Sequence, residues 1–125
     1  MSDYTLFLDD IRFPADVRYD YGPYKALIIC RNFHDAVWAV EQYGLPKSIA
    51  FDHDLGEIPK SNHHGYGFAK WFCDYVMDNE LSLPKGFNYS VHSMNPVGAA
   101  NIRAYMENFL KVYERTDKTI SYEGS

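Results

Sequence analysis

Two acidic clusters, Asp9-Asp10 in TLFLDD and Asp52-His53-Asp54 in IAFDHD, each stand where a short apolar run ends. Carboxylates at the ends of two buried strands converge in one crevice, and three or four held that close repel one another unless a cation, a proton or a cationic side chain offsets them. A divalent metal is the expected offset. Oxygen donors with no cysteine nearby favour hard Mg²⁺ or Mn²⁺ over zinc. Residues 52 and 54 of an extended chain point to one side and residue 53 to the other. Asp9, Asp10, Asp52 and Asp54 are therefore the candidate metal ligands, Asp52 is also a candidate nucleophile, and His53 is read as structural. The simpler alternative for either cluster alone is a solvated strand end.

His92-Ser93-Met94-Asn95 ends another strand-like run immediately before Pro96. Asn95 or Ser93 can cap the helix that Pro96 opens. The same place also suits chemistry: a helix N-terminus with Ser93 and Asn95 can hold a phosphate oxygen, while His92, with an ordinary pKa near neutrality, moves a proton. Arg12 follows the first acidic pair and is a candidate phosphate clamp, its alternative being charge balance with Asp9, Asp10 or Asp16. His63-His64, before Gly65, reads as a solvated pair; a zinc site shared with His53 has weak spacing.

The elements that must position these groups are legible as apolar runs and breakers. Tyr4 to Leu8 reads as a first strand. Residues 11–24, with Pro14, Gly22 and Pro23, read as a loop, and Ala26 to Cys30 as a second strand. Asn32 is a candidate N-cap for a helix whose Ala36, Val37, Val40 and Tyr43 share one face, stopped at Gly44-Leu45-Pro46. Ser48 to Phe51 is a third strand. Gly65 to about Glu80 is a helix with Phe68, Phe72 and Val76 inward, and Phe87 to His92 a fourth strand. The helix from Pro96 carries Ile102, Met106, Phe109 and Tyr113 as its buried stripe. The core is expected over about residues 4–114, followed by a polar tail, 115–125, in which Thr119 to Tyr122 is a candidate short edge strand. Alternating strands and helices imply a three-layer α/β domain with a mainly parallel sheet, and right-handed crossovers give the order 2-1-3-4. Such sheets bind ligands where the chain reverses direction, between strands one and three.

At 125 residues the chain is expected to be a single domain, 1–125, and its 46% hydrophobic and 17% aromatic content excludes a disordered chain. No membrane-length apolar stretch or secretory signal is evident, so a soluble cytoplasmic protein is expected. A formal net charge of -5 argues against gripping duplex nucleic acid. A small phosphorylated ligand is compatible with it. Cys30 and Cys73, isolated in apolar segments, read as buried free thiols.

The acidic pair, Asp52 and Ser93 resemble the landmarks of two-component receiver domains, a flavodoxin-like fold. The chain departs from them in having no clear helix between strands one and two, no fifth strand with a Lys-Pro pair, and no Met-Pro turn after Asp52. More closely, LFLDDIRFP, FDHDLG, GYGFAKWF and VHSMNPVGAANI resemble the motifs of the cyclic-phosphate-processing receiver-like family of bacterial and phage proteins. That resemblance implies a metal-dependent phosphoesterase-like site at Asp9, Asp10, Asp52, Asp54, His92 and Ser93, acting on a cyclic phosphate or a small nucleotide-derived signal. In this reading a metal polarises the phosphoryl group, His92 is general acid or base, and Arg12 and Ser93 hold non-bridging oxygens. The alternatives are a non-enzymatic module that sequesters a nucleotide or a partner protein, such as a phage counter-defence protein with Tyr19, Tyr21 and Tyr24 stacking on a base, or a degenerate receiver acting by protein contact.

Overall fold

A computed structural model describes residues 4–10, 26–52, 65–92 and 95–124, the last ten of these by backbone alone. Its elements run β1 (Tyr4–Leu8), β2 (Ala26–Cys30), α1 (Phe33–Tyr43), β3 (Ser48–Phe51), α2 (Gly65–Asp78), β4 (Asn88–Val91) and α3 (Pro96–Gly124). The four strands form one parallel sheet in the order β2-β1-β3-β4, as the crossover argument requires. Every residue of the inner strands β1 and β3 is buried, whereas β2 and β4 at the edges are largely half-buried. That is why the inner strands read as continuous apolar runs instead of alternating patterns.

The pleat divides the sheet residues into two sets. Tyr4, Leu6, Leu8, Ile49 and Phe51 pack with Ala36 and Val40 of α1, Phe68, Phe72 and Val76 of α2, and Ile102, Met106 and Phe109 of α3. All three described helices therefore cover this face. Thr5, Phe7, Ser48 and Ala50 point the other way and are also buried. Residues 11–25 and 53–64, which include the expected first loop, lie outside the described residues.

Local chemistry sets the helix ends. Asn32 caps α1, its Oδ1 accepting the Asp35 N–H at 2.8 Å. Gly44, at φ 87°, ends it with its N–H donating to the Val40 carbonyl at 2.9 Å, a backbone conformation that glycine adopts without a Cβ penalty. The buried stripe of α1 is Ala36, Ala39 and Val40, with Val37 only half-buried and Tyr43 37% exposed. Tyr43 stays at the rim because the Tyr4 ring already fills the space beneath it, edge-on at 6.3 Å, with its hydroxyl bonded to the Gly44 carbonyl at 2.7 Å.

Asn95 caps α3, its Oδ1 accepting the Gly98 N–H at 2.9 Å. Ile102, Met106 and Phe109 are buried as expected, and Tyr113 is half-buried, accepting the Leu83 N–H on its hydroxyl at 2.8 Å. The expected edge strand at 119–122 does not form: α3 runs unbroken to Gly124. No glycine or proline interrupts residues 99–123, and extending an existing helix costs far less than nucleating new structure. Among the described residues the sheet ends at β4, where Arg103 donates to the Val91 carbonyl at 3.3 Å and covers part of that edge.

Both cysteines are free and buried. Burial, helped by the Asp35 charge, pushes the Cys30 thiol up to about 12, and burial likewise raises Cys73 and Tyr4 well above their ordinary values. The unfolded chain releases the Cys30 proton near 9.0, while the native state holds it to about 12. Stability contributed by the protonated thiol is thus complete below 9.0 and is lost as pH rises toward about 12. Urea denaturation across that range should show a falling midpoint that is shallower in Cys30→Ala, and neither thiol should react with a thiol reagent at neutral pH until the protein is unfolded.

Candidate functional site

The hydrogen-bond ladder does not stop where the strands end. The Asp9 N–H donates to the Cys30 carbonyl at 3.1 Å, the Asp52 N–H to Leu8 at 3.0 Å, and the His92 N–H to Phe51 at 2.9 Å. The registers pair Leu8 with Cys30, Phe7 with Ala50, and Phe51 with Val91. Continued by one residue for the first and last pairs and by two for the second, they set Arg31, Asp9, Asp52 and His92 side by side in one row across the four strands. The row lies at the carboxyl end of the sheet, on the face opposite the three helices. Neighbouring strands are about 4.8 Å apart, so a row of this kind brings its side chains within reach of one another.

Asp9 and Asp52 are buried, at 0% and 4% exposure, and Asp10 is half-buried. Each of the three offers a carboxylate oxygen, and these oxygens all lie within 4.8 Å of one another. His92 Nε2 lies 3.1 Å from Asp9 Oδ2. An ionised carboxylate only accepts, so when Asp9 is ionised the Nε2 atom carries a proton toward it. The His92 ring also stacks on Phe7, with centroids 4.7 Å apart and planes 3° from parallel. Ala50, which separates Phe7 from Ser90 in the register, is small enough to leave that path over β3 open. Arg31 Nη1 donates to the Asp9 carbonyl at 3.1 Å, placing a guanidinium beside the acidic pair.

Of the residues singled out from sequence, Asp9, Asp10, Asp52 and His92 come together. Asn95 is the cap of α3, with both its side-chain and main-chain oxygens engaged by that helix. Arg12, Asp54 and Ser93 lie outside the described residues, as do His53, His63, His64, Tyr19, Tyr21 and Tyr24. Two residues were missed. Arg31 follows β2, and only the register that pairs Leu8 with Cys30, and so Asp9 with Arg31, marks it. Phe7 looked like one more apolar strand residue, and nothing in its type or spacing distinguishes it.

The donor set fits a hard divalent cation. It is all oxygen, clustered and largely removed from water, and burying two adjacent carboxylates without a positive charge between them is costly. A protonated His92 offsets one charge at most.

A family model described as "Cyclic-phosphate processing Receiver domain" matches residues 4–108. No curated protein matches the chain. Among solved structures, a yeast Spc42 trimeric coiled coil fused to another structure superposes with a TM-score of 0.51 at 19% identity, covering 99% of this chain and 89% of that one, a likeness of fold alone. No described helix is long and apolar enough to cross a membrane.

Without metal, the clustered carboxylates should limit stability. In EDTA, Asp52→Asn is expected to melt above wild type by roughly 1 kcal/mol or more, because it removes like-charge repulsion. His92→Ala should melt below it by about 1–3 kcal/mol, since it takes away the imidazole that faces Asp9. Thermal melts of the three proteins check both signs.

Proposed function

We propose, for a chain that belongs to the cyclic-phosphate processing receiver domain family, that its acidic row is a metal-dependent phosphoesterase site acting on a cyclic phosphate or phosphodiester of a small nucleotide. The observation that carries this reading is the clustering of Asp9, Asp10 and Asp52 with His92 Nε2 at 3.1 Å from Asp9. Asp9, Asp10 and Asp52 would hold Mg²⁺ or Mn²⁺. When bound, such an ion supplies Lewis-acid polarisation of a phosphoryl group. The buried carboxylates orient around it at little reorganisation cost, because the ladder fixes their backbone.

His92 turns Nε2 toward Asp9 and the crevice, and in its imidazolium form it is the residue suited to give the Nε2 proton to the oxygen of the breaking ester bond, becoming a neutral imidazole. Phe7 fixes the plane of its ring. Ser93, Arg12 and Asp54 are assigned to the same site from the family motifs they occupy in the sequence. No Lys-Pro pair follows Ser93, so the lysine with which a signalling receiver stabilises a phospho-aspartate has no counterpart there.

Titration calorimetry should detect Mg²⁺ or Mn²⁺ binding to wild type and a marked loss in Asp9→Asn and Asp52→Asn. Turnover of one member of a cyclic-nucleotide panel should fall by about 10² to 10⁴ in His92→Ala with little change in ligand affinity. A wild-type protein that binds a cyclic nucleotide tightly and returns it unaltered in the presence of metal would replace the enzyme with a sequestering module. Incubation with acetyl phosphate and Mg²⁺ should leave the intact mass unchanged; a one-phosphoryl adduct absent from Asp52→Asn would make a phospho-switch the better reading.

A further inference from the structure

Arg31 is drawn into the site by the sheet itself. It is the first residue past β2 and the register neighbour of Asp9, and it lies on the face that carries Asp9, Asp52 and His92. Cys30, one residue earlier, points into the helix-covered core instead. The Arg31 guanidinium comes to the carboxyl end of β1, where its Nη1 donates to the Asp9 carbonyl at 3.1 Å. It remains half-buried.

The charge balance of the crevice gives this placement a consequence. Three carboxylates and one divalent cation leave a net negative charge, and a neutral His92 does not change it. An anionic phosphate approaching that row is repelled unless a fixed cation meets it. Among the described residues, Arg31 is a cation whose side chain the structure bonds to the Asp9 main chain, at the strand end that carries the acidic pair. A guanidinium stays charged at any accessible pH, and its planar fork matches two oxygens of a phosphate where an ammonium offers only a point charge.

We propose that Arg31 is a specificity-determining residue that binds the non-bridging oxygens of the ligand's phosphate, selecting phosphate esters over carboxylate or neutral ligands. This rests on the reading of the row as a metal-dependent phosphate site. Its end of the row complements His92: the cation at β2 holds the phosphate oxygens and the imidazole at β4 faces the leaving group.

The test uses two titrations on the full chain, followed by amide chemical shifts: Mg²⁺ alone, then inorganic phosphate into Mg²⁺-saturated protein. Wild type, Arg31→Gln and Arg31→Lys are compared. Arg31→Gln should bind Mg²⁺ as tightly as wild type or more tightly, which also shows that it is folded, while its phosphate affinity falls by roughly tenfold or more. Arg31→Lys should recover only part of that loss. Phosphate affinity within twofold of wild type in Arg31→Gln, full recovery in Arg31→Lys, or no phosphate binding by Mg²⁺-loaded wild type would each overturn the role of Arg31. Failure of wild type to bind Mg²⁺ would overturn the metal-site reading itself.

Discussion

The parallel ladder carried one residue past each strand is the constraint on which everything else depends. It sets a cation, two buried carboxylates and an imidazole in a single row without requiring any of them to be near another in sequence. The core on the opposite face keeps that row in register. A one-residue slip of β1 against β3 would turn Leu6 and Leu8 out of the helix-covered core and Asp9 into it. The apolar packing thus protects the arrangement of charges, although it contributes no atom to the site.

Burying those charges opposes stability, and the surroundings offset part of the cost. His92 meets Asp9 through Nε2 and rests its ring on Phe7, while Arg31 meets the Asp9 main chain. The small Ala50 on β3 allows an imidazole on β4 to reach Phe7 and Asp9 across that strand. Ser90 Oγ is itself buried with no hydrogen-bond partner among the described residues, consistent with a face shaped around the row more than for its own satisfaction. Function of this kind, in which a folded protein keeps carboxylates together that would separate in water, is expected to lower the stability of the metal-free state.

Much of this was legible in the residues. Continuous apolar runs at Tyr4–Leu8 and Ser48–Phe51 marked the inner strands because burial on both faces leaves no alternation, and right-handed crossovers then fixed the order β2-β1-β3-β4. Asp9, Asp10 and Asp52 were legible because strand ends at a switch point converge. Arg31 was not, since a lone arginine after an edge strand carries no local signal; its meaning comes from a register shared with a segment twenty-two positions away. Helical spacing puts Tyr43 on the buried face of α1 but cannot register that Tyr4 already occupies the space beneath it. The helical backbone of residues 115–124 is not legible in their polar composition, because composition does not report backbone conformation.

The central claim is that this row takes up a divalent cation. An amide-resolved NMR titration with Mg²⁺ tests it most directly. Shifts should concentrate at Leu8, Asp9, Asp10, Arg31, Asp52 and His92, saturate together, and vanish in Asp52→Asn. Shifts that are absent, scattered over the helices, or unchanged by Asp52→Asn would contradict the account.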